Sequence, residues 1–245
     1  MFKFFNKSSS GAFDFGTLGT DMHSHILPGI DDGSRDMNTS MDLIRGLSAL
    51  GYKKLIATPH VMWDMYKNSS DMILHKLAEV KERVKKEGIN IEVDAAAEYF
   101  LDEHVISLVK SNTPLLTIGN NMVLVEFSLA HASLELKDIL FELQMQSYVP
   151  VIAHPERYIY LERSRDLYDE LKDMGCLFQL NVLSLTGGYG KTVQELSQYL
   201  IKKRYYDLVG TDLHHARHLE SLSSPALGSQ LKKLVDTGKL INTRL

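Results

Sequence analysis

Val149-Pro150-Val151-Ile152-Ala153-His154-Pro155-Glu156-Arg157 runs through five apolar residues and stops at a histidine, a glutamate and an arginine. A short apolar run bounded by turn residues reads as a buried strand. The same arrangement recurs on both sides of it. Asp21-Met22-His23-Ser24-His25 ends a run over 18–23, and Thr58-Pro59-His60 ends one over 53–58. Glu98 follows 90–97, Glu126 lies at the end of 121–127, Gln179-Leu180-Asn181 closes 176–181, and Asp212-Leu213-His214 follows 205–210. Amphipathic stretches over 37–50, 70–87, 101–110, 134–147, 163–174, 190–203 and 226–236 read as helices. Gly51, Gly88, Gly175 and Gly238 stand as stop signals, and Ser69 and Ser70 suit an N-cap. This strand–helix alternation predicts parallel strands with crossover helices. Spacing alone does not separate an open doubly wound sheet from a closed barrel. In either, the C-terminal strand ends share one face, where active sites form.

The rest of the composition narrows the function. The chain has 245 residues, 27 Lys+Arg against 31 Asp+Glu, 44% hydrophobic and 24% charged residues, which is ordinary globular composition. A net charge of −4 argues against a nucleic-acid binder, which needs a basic face. The single cysteine, Cys176, excludes an internal disulfide framework and a cysteine-based zinc site, and suits the cytoplasm. No apolar run approaches the roughly 18–20 residues of a membrane span. Residues 1–16 read as a flexible arm ahead of one domain over 17–245. Phe2, Phe4 and Phe5 read as a frayed terminus in preference to a membrane or partner contact. The N-x-S matches at Asn38 and Asn68 read as chance.

In an extended strand, residues i and i+2 point the same way, so His23 and His25 present two imidazoles to one ion. A lone H-x-H is a weak signal. A metal-type side chain at nearly every strand end is a strong one. Imidazole and carboxylate donors without thiolate favour zinc, manganese or iron. The donors outnumber those of one tetrahedral ion, so two or three bridged ions fit better, as in sites that clamp a phosphoryl displacement. His75 and His104 read as helix-face residues and His131 as a loop residue. His215 and His218 read as solvated or substrate-reaching. Gly190-Lys191-Thr192 mimics the end of a P-loop, but position 185 is Leu185, not the required glycine. The Gly187-Gly188-Tyr189-Gly190 loop can still shape the site. Cys176 lacks the arginine six residues on that a cysteine phosphatase needs; that position is Val182.

Asp21-x-His23-x-His25, Asp31-Asp32-Gly33, Thr58-Pro59-His60, Ala97-Glu98, Val125-Glu126-Phe127, His154-Pro155-Glu156-Arg157-Tyr158 and Asp212-x-His214 resemble, in order over about 20–235, the PHP superfamily. Within it they resemble most the bacterial tyrosine-protein phosphatases of capsular and exopolysaccharide loci. The resemblance implies a distorted (β/α)7 TIM-like barrel and a trinuclear centre. It places His23, His25, Glu98 and Asp212 on a first metal, Glu98, Glu126 and His154 on a second, and Asp32, His60 and His214 on a third. It implies manganese, with iron or zinc as alternatives, and a metal-bridging hydroxide that attacks phosphorus. Arg157, with Glu98 and Asp212 in the catalytic set, takes the place of the family's catalytic arginine, and its planar fork suits phosphate. Arg217 is a candidate second phosphate clamp. Family members often carry a second histidine after Thr-Pro-His; here it is Val61. The implied substrate is a phosphotyrosine protein, a bacterial tyrosine kinase with a tyrosine-rich tail, and homo-oligomers are compatible with it. The alternatives are the same chemistry on a small metabolite such as histidinol phosphate, and a metal-free binding module.

Overall fold

The computed structural model describes residues 13–131, 133 and 135–245. The strands are β1 (Thr20–Asp21), β2 (Lys54–Ala57), β3 (His60–Val61), β4 (Glu92–Ala95), β5 (Glu98–Phe100), β6 (Met122–Glu126), β7 (Val149–Ala153), β8 (Leu177–Asn181) and β9 (Tyr206–Gly210). The helices are α1 (Met37–Ala49), α2 (Ser70–Lys86), α3 (Glu103–Lys110), α4 (Leu136–Met145), α5 (Asp166–Asp173), α6 (Lys191–Lys203), α7 (Ala216–Leu222) and α8 (Pro225–Val235). Every strand pairing is parallel. β6 and β9 are buried along their whole length, as expected of parallel strands covered on both faces. The helices bury one stripe: Ile73, Leu77, Val80 and Val84 of α2 recur at helical spacing. Of its two candidate N-caps, Ser69 is the one that accepts from Met72 N.

The strands form two sheets, in the orders β1-β2-β4 and β3-β5-β6-β7-β8-β9, and neither closes on itself. The family resemblance implies a distorted barrel of seven strands. The difference arises where the ladder is interrupted. β2 and β3 are split at Thr58-Pro59, where proline has no N–H to give. β4 and β5 are split at Ala96-Ala97, so Glu98, expected just after a strand, is the first residue of β5. Between the ends of the strand set, single bonds replace a ladder: Asp212 N donates to His23 O (2.8 Å) and His25 N to Leu213 O (2.9 Å). Asp212, at φ 50, has left the extended region, so the pairing of β9 cannot continue through it.

Two apolar clusters flank the strands. The larger packs the helices against them. The smaller gathers Met22, Ile56, Ala96, Leu124, Val151, Ala153 and Leu208 on the opposite side of the strands, with Ile241 and Leu245 packed against it. Residues 1–12, including Phe2, Phe4 and Phe5, lie outside the described residues. Residues 13–16, expected in a flexible arm, are held instead. Phe15 is fully buried, donates its N–H to Leu50 O and lies 5.1 Å from the Tyr52 ring, because an apolar side chain there covers the edge of the core. No helix among the described residues is long and apolar enough to cross a membrane.

The C-terminal turn ties the first and last strands together. Asn242 accepts from Val209 N (3.0 Å) and donates to Thr20 O (3.0 Å) and Val209 O (2.7 Å), all buried. Asn242→Ala strands these groups, and we expect a loss of about 2–4 kcal/mol in urea unfolding at unchanged m-value. A loss below about 0.5 kcal/mol would show that the tie is not needed.

Candidate metal centre

Each strand end delivers its side chain to one place. His23 and His25 follow β1, His60 starts β3, Glu98 starts β5, Glu126 ends β6, His154 follows β7, and Asp212 and His214 follow β9. His154 (φ 31) and Asp212 (φ 50) adopt left-handed backbone just past their strands, which turns the chain over the site. Gly210 lets β9 approach: a Cβ there would stand 2.5 Å from that of His23.

Four donors form a tight set. His23 Nε2 lies 3.3 Å from His25 Nε2, 3.2 Å from Glu98 Oε2 and 3.4 Å from Asp212 Oδ1. His25 Nε2 lies 3.4 Å from the same Glu98 oxygen and 3.3 Å from the same Asp212 oxygen. A tetrahedron with metal–ligand bonds of about 2.1 Å has edges of about 3.4 Å. Glu98 Oε2, wholly buried among these nitrogens, has no hydrogen bond among the described residues. Imidazole nitrogens and carboxylate oxygens thus converge on one point, and the donor set fits a cation. The other Glu98 oxygen, Oε1, lies 3.0 Å from His154 Nε2, which lies 3.7 Å from Glu126 Oε1. Asp32 Oδ1 lies 3.6 Å from His60 Nε2 and 3.5 Å from His214 Nε2. All nine expected ligands are therefore brought together. His60 differs in having a foot in two sets, its Nδ1 being 3.2 Å from Glu98 Oε2 and 3.8 Å from Glu126 Oε2.

The imidazoles are oriented from behind. His23 Nδ1 meets Gln179 Oε1 (2.9 Å), His25 Nδ1 meets Asp31 Oδ2 (2.8 Å), and His214 Nδ1 meets the Asp212 carbonyl (2.8 Å). Each acceptor holds the proton on Nδ1 and leaves the Nε2 lone pair facing the centre. His154 has no such partner among the described residues, and its Nδ1 is buried. Sequence reasoning left Asp31 and Gln179 without a role. Their signals were adjacency to Asp32 and a strand-end position.

The charge balance points the same way. Burial opposes ionisation of Glu98 and Asp212, but His23 and other neighbouring imidazoles outweigh it and hold both carboxyls well below the usual range. Burial and the Glu98 charge push Glu126 well above it. Burial, opposed and outweighed by Glu98 and Asp212, leaves His23 raised to about 9, whereas burial and Arg157 push His154 down to about 4. Asp31, Asp32, Glu98 and Asp212, all held below the usual carboxylate range, crowd among the imidazoles here, a concentration of negative charge that bound cations would balance.

A cavity of about 270 Å³ opens over this cluster, walled beyond the converging donors by Arg157, Tyr189, His215 and His218. Arg157 Nη1 donates to Asp212 Oδ2 at 3.0 Å. Arg217 does not join it; it is exposed on α7 and lies outside the cavity wall, because the first turn of α7 directs His215 and His218 inward instead. His131 is exposed outside the wall as well. His75 is exposed on α2, 3.2 Å from Glu79, and His104 stacks on Trp63 with ring centroids 3.7 Å apart. Val61, at the place of the second histidine, is buried in the core.

Comparison with known proteins agrees with this geometry. A family profile described as capsular polysaccharide synthesis, CpsB/CapC, matches residues 19–234. Tyrosine-protein phosphatase YwqE of Bacillus subtilis is 29% identical over 197 residues, covering 80% of this chain and 78% of that protein. A crystal structure from work on YwqE of Bacillus subtilis and CpsB of Streptococcus pneumoniae, described as unique metal-dependent tyrosine phosphatases, superposes with a TM-score of 0.77 at 28% identity, covering 86% of this chain and 87% of the other. A histidinol phosphate phosphatase from Lactococcus lactis shares the fold at a TM-score of 0.60 and 14% identity, covering 91% of this chain and 95% of the other.

Cys176 stands apart from this centre, fully buried, and burial pushes its thiol up to about 11. The thiolate fraction is therefore negligible at pH 8. We expect no reaction with Ellman's reagent in the native protein and one thiol per chain in guanidinium chloride. Rapid native labelling would contradict the burial.

Proposed function

The chain belongs to the capsular polysaccharide synthesis CpsB/CapC family, and we propose that it is a metal-dependent protein-tyrosine phosphatase. The observation that carries the reading is that His23 Nε2 and His25 Nε2 each lie 3.2–3.4 Å from a Glu98 oxygen and an Asp212 oxygen, with Arg157 on the rim of the set. In this reading His23, His25, Glu98 and Asp212 hold one divalent cation, Glu98, Glu126 and His154 a second, and Asp32, His60 and His214 a third. Oxygen and imidazole donors suit manganese, with iron or zinc as alternatives. Bound there, the cations would supply an activated water at neutral pH and neutralise charge on the phosphoryl oxygens.

The chain's own residues do the rest. The Arg157 guanidinium, a planar fork anchored at one nitrogen on Asp212, offers its remaining N–H groups to non-bridging phosphoryl oxygens. Asp31 and Gln179 keep His25 and His23 in the tautomer that faces the centre. Tyrosinate, with a parent pKa near 10, leaves without a strong general acid, and this reading assigns none. We read the architecture as a distorted (β/α)7 barrel over 17–245. The apolar cluster that collects side chains from β2, β6, β7 and β9 on one side of the strands supports that reading. The substrate we favour is the tyrosine-rich tail of a bacterial kinase that controls polysaccharide export, which places the reaction in the cytoplasm.

Chelator-stripped protein supplied with Mn²⁺ is expected to release phosphate from a phosphotyrosyl peptide and not from histidinol phosphate. Turnover of histidinol phosphate alone would replace the protein substrate with a small one. Arg157→Ala is expected to lower kcat/KM by about 10²–10³, the loss typical of a charge-stabilising donor. Full activity in that variant would remove the clamp. Glu98→Gln is expected to lower bound metal measured by mass spectrometry, and unchanged metal content would refute its bridging place.

A further inference from the structure

The Gly187-Gly188-Tyr189-Gly190 loop, which mimics a phosphate loop in sequence, brings Tyr189 to the cavity wall instead. Gly187 (φ 77) and Gly190 (φ 97) adopt backbone that side chains rarely tolerate, and they flank Tyr189 in a turn between β8 and α6. The Arg157 guanidinium carbon sits 4.8 Å from the Tyr189 ring centroid. The phenol oxygen accepts from Asn181 Nδ2 at 3.1 Å, and the same Asn181 nitrogen donates to Asp212 Oδ2 at 2.8 Å. That oxygen is the one Arg157 Nη1 holds. The Asn181 amide cannot flip freely, because its Oδ1 accepts from Leu183 N at 3.0 Å. Arg157, Tyr189, Asn181 and Asp212 thus form a closed circuit built from three separate strand ends.

We infer that Tyr189 is a positioning residue: it fixes the plane of the Arg157 guanidinium so that its free edge is presented to a phosphoryl group. This rests on the reading of Arg157 as the phosphate clamp. A planar cation held by one in-plane hydrogen bond still rotates about that bond. A ring beneath it removes the rotation and adds cation–π attraction. Arg157 Nε and Nη2 have no protein hydrogen bond among the described residues, so the restrained group keeps its donors for a ligand. Tyr189 acts through Arg157, since one face of its ring is taken by the guanidinium and the ring meets His218 edge-on, 6.3 Å between centroids.

The test is calorimetric titration of the Mn²⁺-loaded full chain with inorganic phosphate, beside steady-state kinetics on the phosphotyrosyl peptide. Tyr189→Leu is expected to weaken phosphate binding and raise KM about tenfold, with metal content unchanged. Tyr189→Phe keeps the ring and is expected to lose less than about threefold. In an Arg157→Ala background, Tyr189→Leu is expected to cost nothing further, which a merely structural role would not reproduce. Wild-type affinity in Tyr189→Leu, an undiminished loss in the Arg157→Ala background, or no phosphate binding by the wild type would each overturn the inference. The expected phosphate pattern in a protein that hydrolyses no phosphotyrosyl peptide would sink the phosphatase reading and leave the role of Tyr189 standing.

Discussion

The structure depends on one electrostatic constraint: a buried concentration of carboxylates and imidazoles that protons alone do not satisfy. Glu98 and His23 are fully buried, and Asp212 nearly so. Burying a carboxylate is costly unless it is paired. Here the pairs are imidazoles whose nitrogens approach at 3.2–3.4 Å without the alignment of hydrogen bonds. Such an arrangement is poor as a set of ion pairs and good as a coordination shell. The surrounding framework can tolerate it because the backbone pairing of β5, β6, β7, β8 and β9 and two apolar clusters supply stability elsewhere.

That constraint explains the departures from regular structure. A strand that continued through Asp212 or His154 would point successive side chains to alternate faces and carry the next one away from the centre. Left-handed backbone at both positions ends the strand and keeps the side chain on the site. Proline between Thr58 and His60 has the same effect on the second strand. The cost appears as interrupted ladders and two sheets where regular pairing would close one.

The strand ends and most of the converging donor side chains were readable in the chain because each depends on local sequence: an apolar run supplies the strand, and the next residues supply the donor. His154 after Val149–Ala153 and Asp212 after Tyr206–Gly210 are of this kind. The short strands β3 and β5 were not readable, since two or three residues carry no periodicity and form only because neighbours pair with them. Arg217 illustrates the other limit. A cation near a ligand motif looks like a clamp in sequence, but the register of α7 decides which side chain faces inward, and that register is set by His215 acting as the N-cap. Tyr189 was hidden for the same reason: its contact with Arg157 spans two loops with no shared pattern.

The converging donor set alone does not choose a substrate. A histidinol phosphate phosphatase shares this fold, so fold and function are separable here. What distinguishes one phosphomonoester from another must lie in the walls above the centre. In this chain those walls are the Arg157–Tyr189 pair on one loop system and His215 and His218 on α7. The first is held by hydrogen bonds that end on Asp212, itself one of the converging donors. On the proposed reading, the phosphate-recognition edge and the metal-binding edge share one carboxylate, with Oδ1 facing the imidazoles and Oδ2 facing the guanidinium. A displacement of Asp212 would then disturb both edges, which on that reading ties the position of the phosphoryl group to the position of the centre that acts on it.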